Sequence, residues 1–317
     1  MIANTMPNNP EVSVILINYN SRHYTIDCVN SIIEHTKSKN YEIVIVDNNS
    51  KEEDFIELKE IESIPSVKIF GSRINLGFSG GNMLGVQQAH PDSAYYFFLN
   101  NDCVFVNDVI STLGNFFDET PAVSIATGQM YSPNMQPLPS FGYYPSVGAI
   151  LLGTGFMRLF NKEMYRSNKK EYSEPITIPY ATGSAMFVRR AHFVDIGGFD
   201  TNYFLYSEEE DLCMRMRKNG WRIYLVPGAK FIHYGGGSTN RNLAVEKEFY
   251  ISYLYFLRKY YSAFNRVILR LLFAVKLLRK SYKDSKFLKL GLFVLRGAPM
   301  KESLRFRQNS SLDKRVT

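Results

Sequence analysis

The residues best suited to chemistry sit where apolar runs stop. Asp102 closes "YYFFLNND" (95–102), an aromatic stretch that turns abruptly to Asn100, Asn101 and a carboxylate. A carboxylate at a strand end, near a glycine-rich helix start, is placed to hold a hard cation such as Mg²⁺ or Mn²⁺, which is shared with substrate phosphates. The same position suits an Asp that caps the next helix. His233, in "AKFIHY", either completes such a metal site or is an ordinary structural histidine. "NLGFSGGNMLG" (75–85) can turn backbone N–H groups toward a phosphate or ribose. It matches neither the dinucleotide fingerprint nor the phosphate-loop lysine motif, and Gly80 and Gly81 equally serve close helix–sheet packing. The acidic run Glu208–Asp211 suits a helix start or a solvated face. It follows the apolar "YFLY", however, and Asp211 stands four residues before Arg215, an ion-pair spacing. That leaves Glu208 and Glu209 for proton abstraction, since clustered carboxylates raise one another's pKa.

The elements that must position these groups are legible from periodicity. "VSVILIN" (12–18), "YEIVIVD" (41–47), "VKIF" (67–70) and "YYFFLN" (95–100) read as strands buried on both faces, separated by helix-length spacers. Such alternation implies right-handed crossovers and a mostly parallel α/β sheet flanked by helices. Ligands of these sheets lie beyond the carboxyl ends of the strands. Asn18, Asn20, Asp47 and Asn100–Asp102 all fall there. Residues 120–180, rich in Pro, Gly and Tyr, read as irregular loops and short antiparallel strands.

Charge divides the 317-residue chain. Residues 241–317 carry 18 Lys and Arg against 5 Asp and Glu, a net +13, which leaves the preceding 240 residues at −6. A basic tail on an acidic body argues against a nucleic-acid partner and for a tail that meets an anionic membrane surface. Within it, "FNRVILRLLFAVKLLRK" (264–280) sets Val267, Ile268, Leu271, Leu272, Val275 and Leu278 on one helical face, with Arg266, Arg270, Lys276 and Lys280 opposite. This is the pattern of a helix lying in the membrane interface, and also of one packing on its own domain or forming a dimer contact. Three scattered cysteines, Cys28, Cys103 and Cys213, and no signal-peptide pattern read as reduced thiols in a cytoplasmic protein.

In order along residues 11–240, "VSVILINYN", "IVIVDNNS", "NLGFSGGN", "FLNND", "GSAMFVRR", "GGFDTNYFLYSEEEDLCMRMRKNGW" and "HYGGGS" resemble the family 2 glycosyltransferases of the GT-A fold, in their rhamnosyltransferase-like branch of surface polysaccharide synthesis. The resemblance implies a nucleotide-sugar half at about 11–120 and an acceptor half at about 121–240. The basic helical tail of 241–317 would then hold the enzyme peripherally at the inner face of the plasma membrane. It assigns Asn18, Asn20 and Asp47 to the nucleotide base pocket, and Asn75, Gly77, Gly80 and Asn82 to a wall of the donor site. Asn100 and Asn101 join them in the place of the family's Asp-x-Asp, where only Asp102 remains a carboxylate. By the same resemblance Asp102 and His233 hold the Mg²⁺ or Mn²⁺, Glu209 is the catalytic base with Glu208 beside it, and Gly183, Ser184 and Asp200 face the acceptor. The implied reaction is an inverting transfer from a dTDP- or UDP-linked sugar to a glycan or polyprenyl-diphosphate-linked acceptor. Rhamnose is favoured over the galactofuranose, galactose or N-acetylglucosamine of UDP-sugars. Other readings are a nucleotidyltransferase, whose basic triphosphate loop "NYNSRHY" does not supply, and a non-catalytic relic that binds glycan or membrane.

Overall fold

The computed structural model describes residues 10–235 and 242–308; Gly236 and Gly237 of the glycine cluster lie outside them. The chain runs β1 (Val12–Asn18), α1 (Arg22–His35), β2 (Tyr41–Asp47), α2 (Glu52–Leu58), β3 (Val67–Gly71), α3 (Gly77–Gln88), β4 (Tyr95–Asn100), β5 (Cys103–Phe105), α4 (Val109–Glu119) and β6 (Val123–Tyr131). Two-residue strands β7 (Pro137–Leu138) and β8 (Phe141–Gly142) follow, then α5 (Val147–Leu152), α6 (Thr154–Phe160), β9 (Ile176–Thr177) and β10 (Tyr180–Ala181). β11 (Ala185–Arg189), α7 (Arg190–Asp195), α8 (Glu208–Lys218) and β12 (Arg222–His233) complete the body, and α9 (Leu243–Tyr260), α10 (Ala263–Leu278) and α11 (Lys286–Leu295) close the chain.

The main sheet has the order β3-β2-β1-β4-β11-β6-β12-β5. β1 to β4 are parallel, as their helix-length spacers require, and β11 enters antiparallel against β4. The alternating residues of β4 split between two cores: Phe97 packs with Phe187 and Phe105 on one face, Phe98 with Phe193 and Phe199 on the other. This double burial is why the strand is uniformly aromatic. Register aligns the strand ends, pairing Asn18 with Asp47 and Ile17 with Asn100. The apolar runs "WRIYLV" and "AKFIHY" read from sequence as two short strands; they are one strand, β12, with a register shift between Val226 and Lys230. Residues 120–180 contain the expected short strands and also the helices α5 and α6, whose six and seven residues are too few to show a period.

The expected tail begins inside the body. α9 carries Ile251, Tyr253, Phe256 and Leu257 into a cluster with Tyr203, and its Ser252 hydroxyl donates to the Leu205 carbonyl at 2.8 Å. Lys259 reaches both Asp200 (2.7 Å) and Asp211 (2.5 Å), and the Tyr260 hydroxyl donates to Asp211 at 2.7 Å. α10 and α11 pair with each other and lie against α9. No helix among the described residues is long and apolar enough to cross a membrane.

Candidate active site

β5 and β12 run antiparallel with Cys103 opposite His233, which carries the imidazole to the residue just before Cys103. His233 Nε2 lies 3.1 Å from Asp102 Oδ1, and the Tyr234 N–H donates to the Asp102 carbonyl at 3.0 Å. A carboxylate and an imidazole this close are of the right type and spacing to hold a divalent cation. Cys103 is near enough to be a third ligand. Burial, then the Asp102 charge, pushes its thiol well above the ordinary range, and it donates to the Ser184 carbonyl at 3.4 Å, so it belongs to the core.

Glu208, Glu209 and Glu210 open α8 together. The backbone that delivers them is strained: Tyr206 and Ser207 sit consecutively at φ +74° and +64°. Their neighbourhood fixes them, through the Ser252 bond to Leu205 and a 2.7 Å bond from the Phe78 N–H to the Phe204 carbonyl. Gly77, at φ +71°, lets that carbonyl come so close that any Cβ there would collide with it. The start of α3 and the start of α8 are thereby pinned to each other. Burial raises the Glu209 carboxyl, opposed by hydrogen bonds from its own N–H and that of Gly183. Glu208 is raised further, by burial and then by the Glu209 charge. Burial and then the Glu209 charge push Glu210 up to about 8, against hydrogen bonds from Tyr180 and Ser207. The Oε2 atom of each is buried without a hydrogen-bond partner among the described residues.

A cavity of about 400 Å³ opens beside the end of β4, lined by Asn100 and Asn101 and by Phe204 and Leu205 ahead of α8. Of the residues expected in the donor site, Asn75, Gly77, Asn82, Asn100 and Asn101 line it. Gly183 lies against both Phe78, a residue of the cavity wall, and the Glu209 carboxyl. The Ser184 carbonyl accepts from the Asn100 N–H at 2.9 Å, which ties this wall to the end of β4.

The remaining expected residues lie behind or beside the cavity. Asn18 is fully buried, donating to Asp47 (2.9 Å) and Asp54 (2.8 Å), and Asp47 also accepts from the Ser50 N–H at 3.1 Å. Asn20 accepts from the Lys51 N–H at 2.8 Å. These residues shape the turns after β1 and β2. Gly80 borders a neighbouring recess with Arg305 and Phe306. Asp200 is held by Lys259 and by the Tyr255 hydroxyl at 3.1 Å.

The model of glycosyl transferase family 2 matches residues 13–197. This chain belongs to that family. Among curated relatives of this glycosyltransferase, the rhamnosyltransferase WbbL of Escherichia coli K12 is 26% identical over 70% of this chain and 83% of its own. The N-acetylglucosaminyl-diphospho-decaprenol L-rhamnosyltransferase of Mycobacterium tuberculosis is 27% identical over 64% of this chain and 69% of its own. The fold is shared with solved structures. The Pyrobaculum calidifontis mannosyltransferase PcManGT, in complex with GDP-Man and Mn²⁺, superposes with a TM-score of 0.54 at 15% identity, covering 96% of this chain and 84% of that one. GalNAc-T7 with UDP, GalNAc and Mn²⁺ superposes with a TM-score of 0.55 at 16% identity, over 77% and 48% of the two chains. These likenesses confirm the GT-A architecture expected from the motifs.

Part of the glycosyltransferase cavity escapes sequence reasoning. Asn242 and Val245, at the start of α9, and Leu304 and Gln308, at the far end of the chain, also line it. Glu248 of α9 holds that terminal segment, accepting from the Ser303 hydroxyl (2.9 Å) and the Leu304 N–H (2.8 Å). Only the pairing of α9 with residues 303–308 reveals this wall.

The buried acids carry a pH signature. A carboxyl whose pKa rises on folding binds its proton more tightly in the folded state, so its stability contribution is lost as pH rises through the folded value. For Glu210 the window runs from the ordinary 4.5 to about 8. Urea midpoints should fall with pH across that window, and Glu210→Gln should flatten the fall. An unchanged slope in the variant would show that Glu210 is not the titrating group.

Proposed function

We propose that this glycosyltransferase moves rhamnose, with inversion and with the help of a divalent cation, from a nucleoside-diphosphate donor to a glycan or polyprenyl-diphosphate-linked acceptor in surface polysaccharide synthesis. The observation that supports the mechanism is the Asp102–His233 pair, which follows Asn100 and Asn101 of the cavity wall, together with the Glu209 carboxyl against Gly183. The choice of rhamnose rests on two relatives whose names specify it, one of them with a diphospho-decaprenol substrate.

In this reading Asn75, Asn82 and Asn100 offer neutral donors and acceptors to the hydroxyls of the donor. Asp102 and His233 would hold the cation, Mg²⁺ or Mn²⁺, which neutralises charge on the diphosphate as it leaves. Glu209 takes the proton of the acceptor hydroxyl while that oxygen attacks the anomeric carbon from the face opposite the diphosphate. Its raised pKa makes it a stronger base than an ordinary carboxylate. Because Asn100 replaces a carboxylate, cation affinity should depend strongly on the diphosphate itself.

The test is a panel of nucleotide-sugars, dTDP-rhamnose among them, measured by thermal shift and by transfer with and without Mn²⁺ or Mg²⁺. dTDP-rhamnose is expected to be the donor, with transfer lost on chelation. Asp102→Ala and His233→Ala should each lower transfer by at least about 10–100-fold, the cost of losing even an outer partner of a metal ligand. Transfer from UDP-galactose or UDP-N-acetylglucosamine in preference would overturn the rhamnose reading and leave the mechanism standing.

Peripheral attachment to an anionic membrane surface at the cytoplasmic side belongs to the same proposal. Its support is α10, which buries Leu269, Ala274 and Leu277 yet leaves Phe264, Val267, Leu271 and Val275 exposed in a helical row.

A further inference from the structure

α5 and α6 form a short helical pair joined at Gly153, whose φ of +84° turns the chain between them. The inner edge of the pair is explained: Val147 and Ile150 pack on the cluster of Tyr203, Phe256 and Leu257. The outer edge is not. Leu151, Leu152 and Phe156 are exposed there, and Leu159 and Phe160 are 72% and 74% exposed. A surface helix normally turns polar residues outward, and a contiguous apolar face marks an interaction site.

Two features identify the occupant. From Val147 to Lys162 there is no Asp or Glu; the only charges are Arg158 and Lys162. α5 lies against α10, and residues 263–280 likewise contain Arg and Lys but no acid. Two segments more than a hundred residues apart thus bring together apolar side chains and cations with no carboxylate among them. An anionic lipid headgroup layer over hydrocarbon complements that combination. A second copy of this chain would set like charges against each other at a two-fold contact.

We propose that the α5–α6 pair is a second membrane-entering element, inserting Leu159 and Phe160 at the headgroup–acyl boundary of an anionic bilayer beside α10. It rests on the reading of this enzyme as one that works at a membrane surface. It adds that the acceptor half, and not the C-terminal helices alone, is held against the lipid.

Flotation of the full chain on vesicles of phosphatidylcholine, with and without phosphatidylglycerol, tests this. The wild-type chain should float with the anionic vesicles. Leu159→Glu/Phe160→Glu should bind them at least about tenfold more weakly with donor binding unchanged. Val267→Glu/Leu271→Glu serves as the parallel variant for α10. Flotation of the Leu159/Phe160 variant equal to wild type, with the α10 variant impaired, overturns the proposal and leaves the α10 reading intact. No flotation of the wild type overturns both, while transfer to a soluble acceptor in the same sample judges the transferase reading separately. A wild-type dimer that the Leu159/Phe160 variant converts to monomer also overturns it, since the occupant is then a second copy. Should the double variant fold poorly, Phe160→Trp replaces it: its emission should shift blue and be quenched by brominated lipid, and unquenched emission counts against insertion.

Discussion

Replacing Glu209 by glutamine is expected to lower transfer by about 10²–10⁴-fold, the usual worth of a general base, while the donor dissociation constant stays within about twofold. Glutamine keeps the shape of the side chain and an oxygen that can accept from the Gly183 N–H, so the local packing survives. What it loses is the capacity to take a proton. The effect should fall on kcat, because the base acts only as the acceptor oxygen attacks. The neighbouring acids provide the contrast. Glu208 lies among like charges that include Glu209, Glu210 and Glu248, and Glu210 bonds to Tyr180 and Ser207, whereas Glu209 accepts from the Gly183 N–H. The glutamine variants of Glu208 and Glu210 should cost far less activity. In the wild type, transfer should rise with pH through a limb above the ordinary carboxylate range, since burial raises the Glu209 carboxyl, and that limb should vanish in the variant. Turnover of Glu209→Gln within about tenfold of wild type would remove it from the role of base.

Much of this was legible because local pattern and global position agree. The predominantly apolar runs of β1, β2 and β4 read as central parallel strands, so their polar ends had to share one edge of the sheet. Asn75, Gly77, Asn82, Asn100 and Asn101 accordingly meet around one cavity. The Asp102–His233 approach follows from the antiparallel pairing of β5 with β12, which periodicity alone does not specify. Three things could not be read. Gly77 is fixed by the approach of Phe204, a residue 127 positions away, so its spacing in the glycine run carries no trace of the reason. α5 and α6 are too short to show a period. The wall formed by Asn242, Val245, Leu304 and Gln308 exists only because α9 folds back over the α8 entrance, and a charge tally of the tail sees its cations, not its packing.

Asp211→Ala should be the most destabilising single change in the site region, by about 3 kcal/mol, near the low end for breaking a buried ion pair. Asp211 is fully buried and accepts from Arg215 Nε (2.7 Å), Lys259 Nζ (2.5 Å), the Tyr260 hydroxyl (2.7 Å) and the Tyr203 hydroxyl (3.3 Å). Alanine strands two cations and two hydroxyls at once. The cost stays near the low end because Lys259 retains Asp200 and Arg215 retains the Ile196 carbonyl. Both side chains also keep some water, at 29% and 18% exposure. The urea midpoint should drop with the slope unchanged. Lys259→Met should cost less, because Asp211 then still has Arg215 and both tyrosines and an apolar side chain can fill the space. The pair also reports on α9: Lys259 lies on it, Asp211 on α8, which carries Glu209, and the bond between them joins the C-terminal segment to that helix. If both variants melt like wild type, α9 contributes nothing to holding α8, and the strained Tyr206–Ser207 entry must be supported by the α3 contact alone. If Asp211→Ala loses stability and kcat together while Lys259→Met loses a smaller share of each, the first helix of the segment read from sequence as a membrane tail also steadies the helix that carries Glu209.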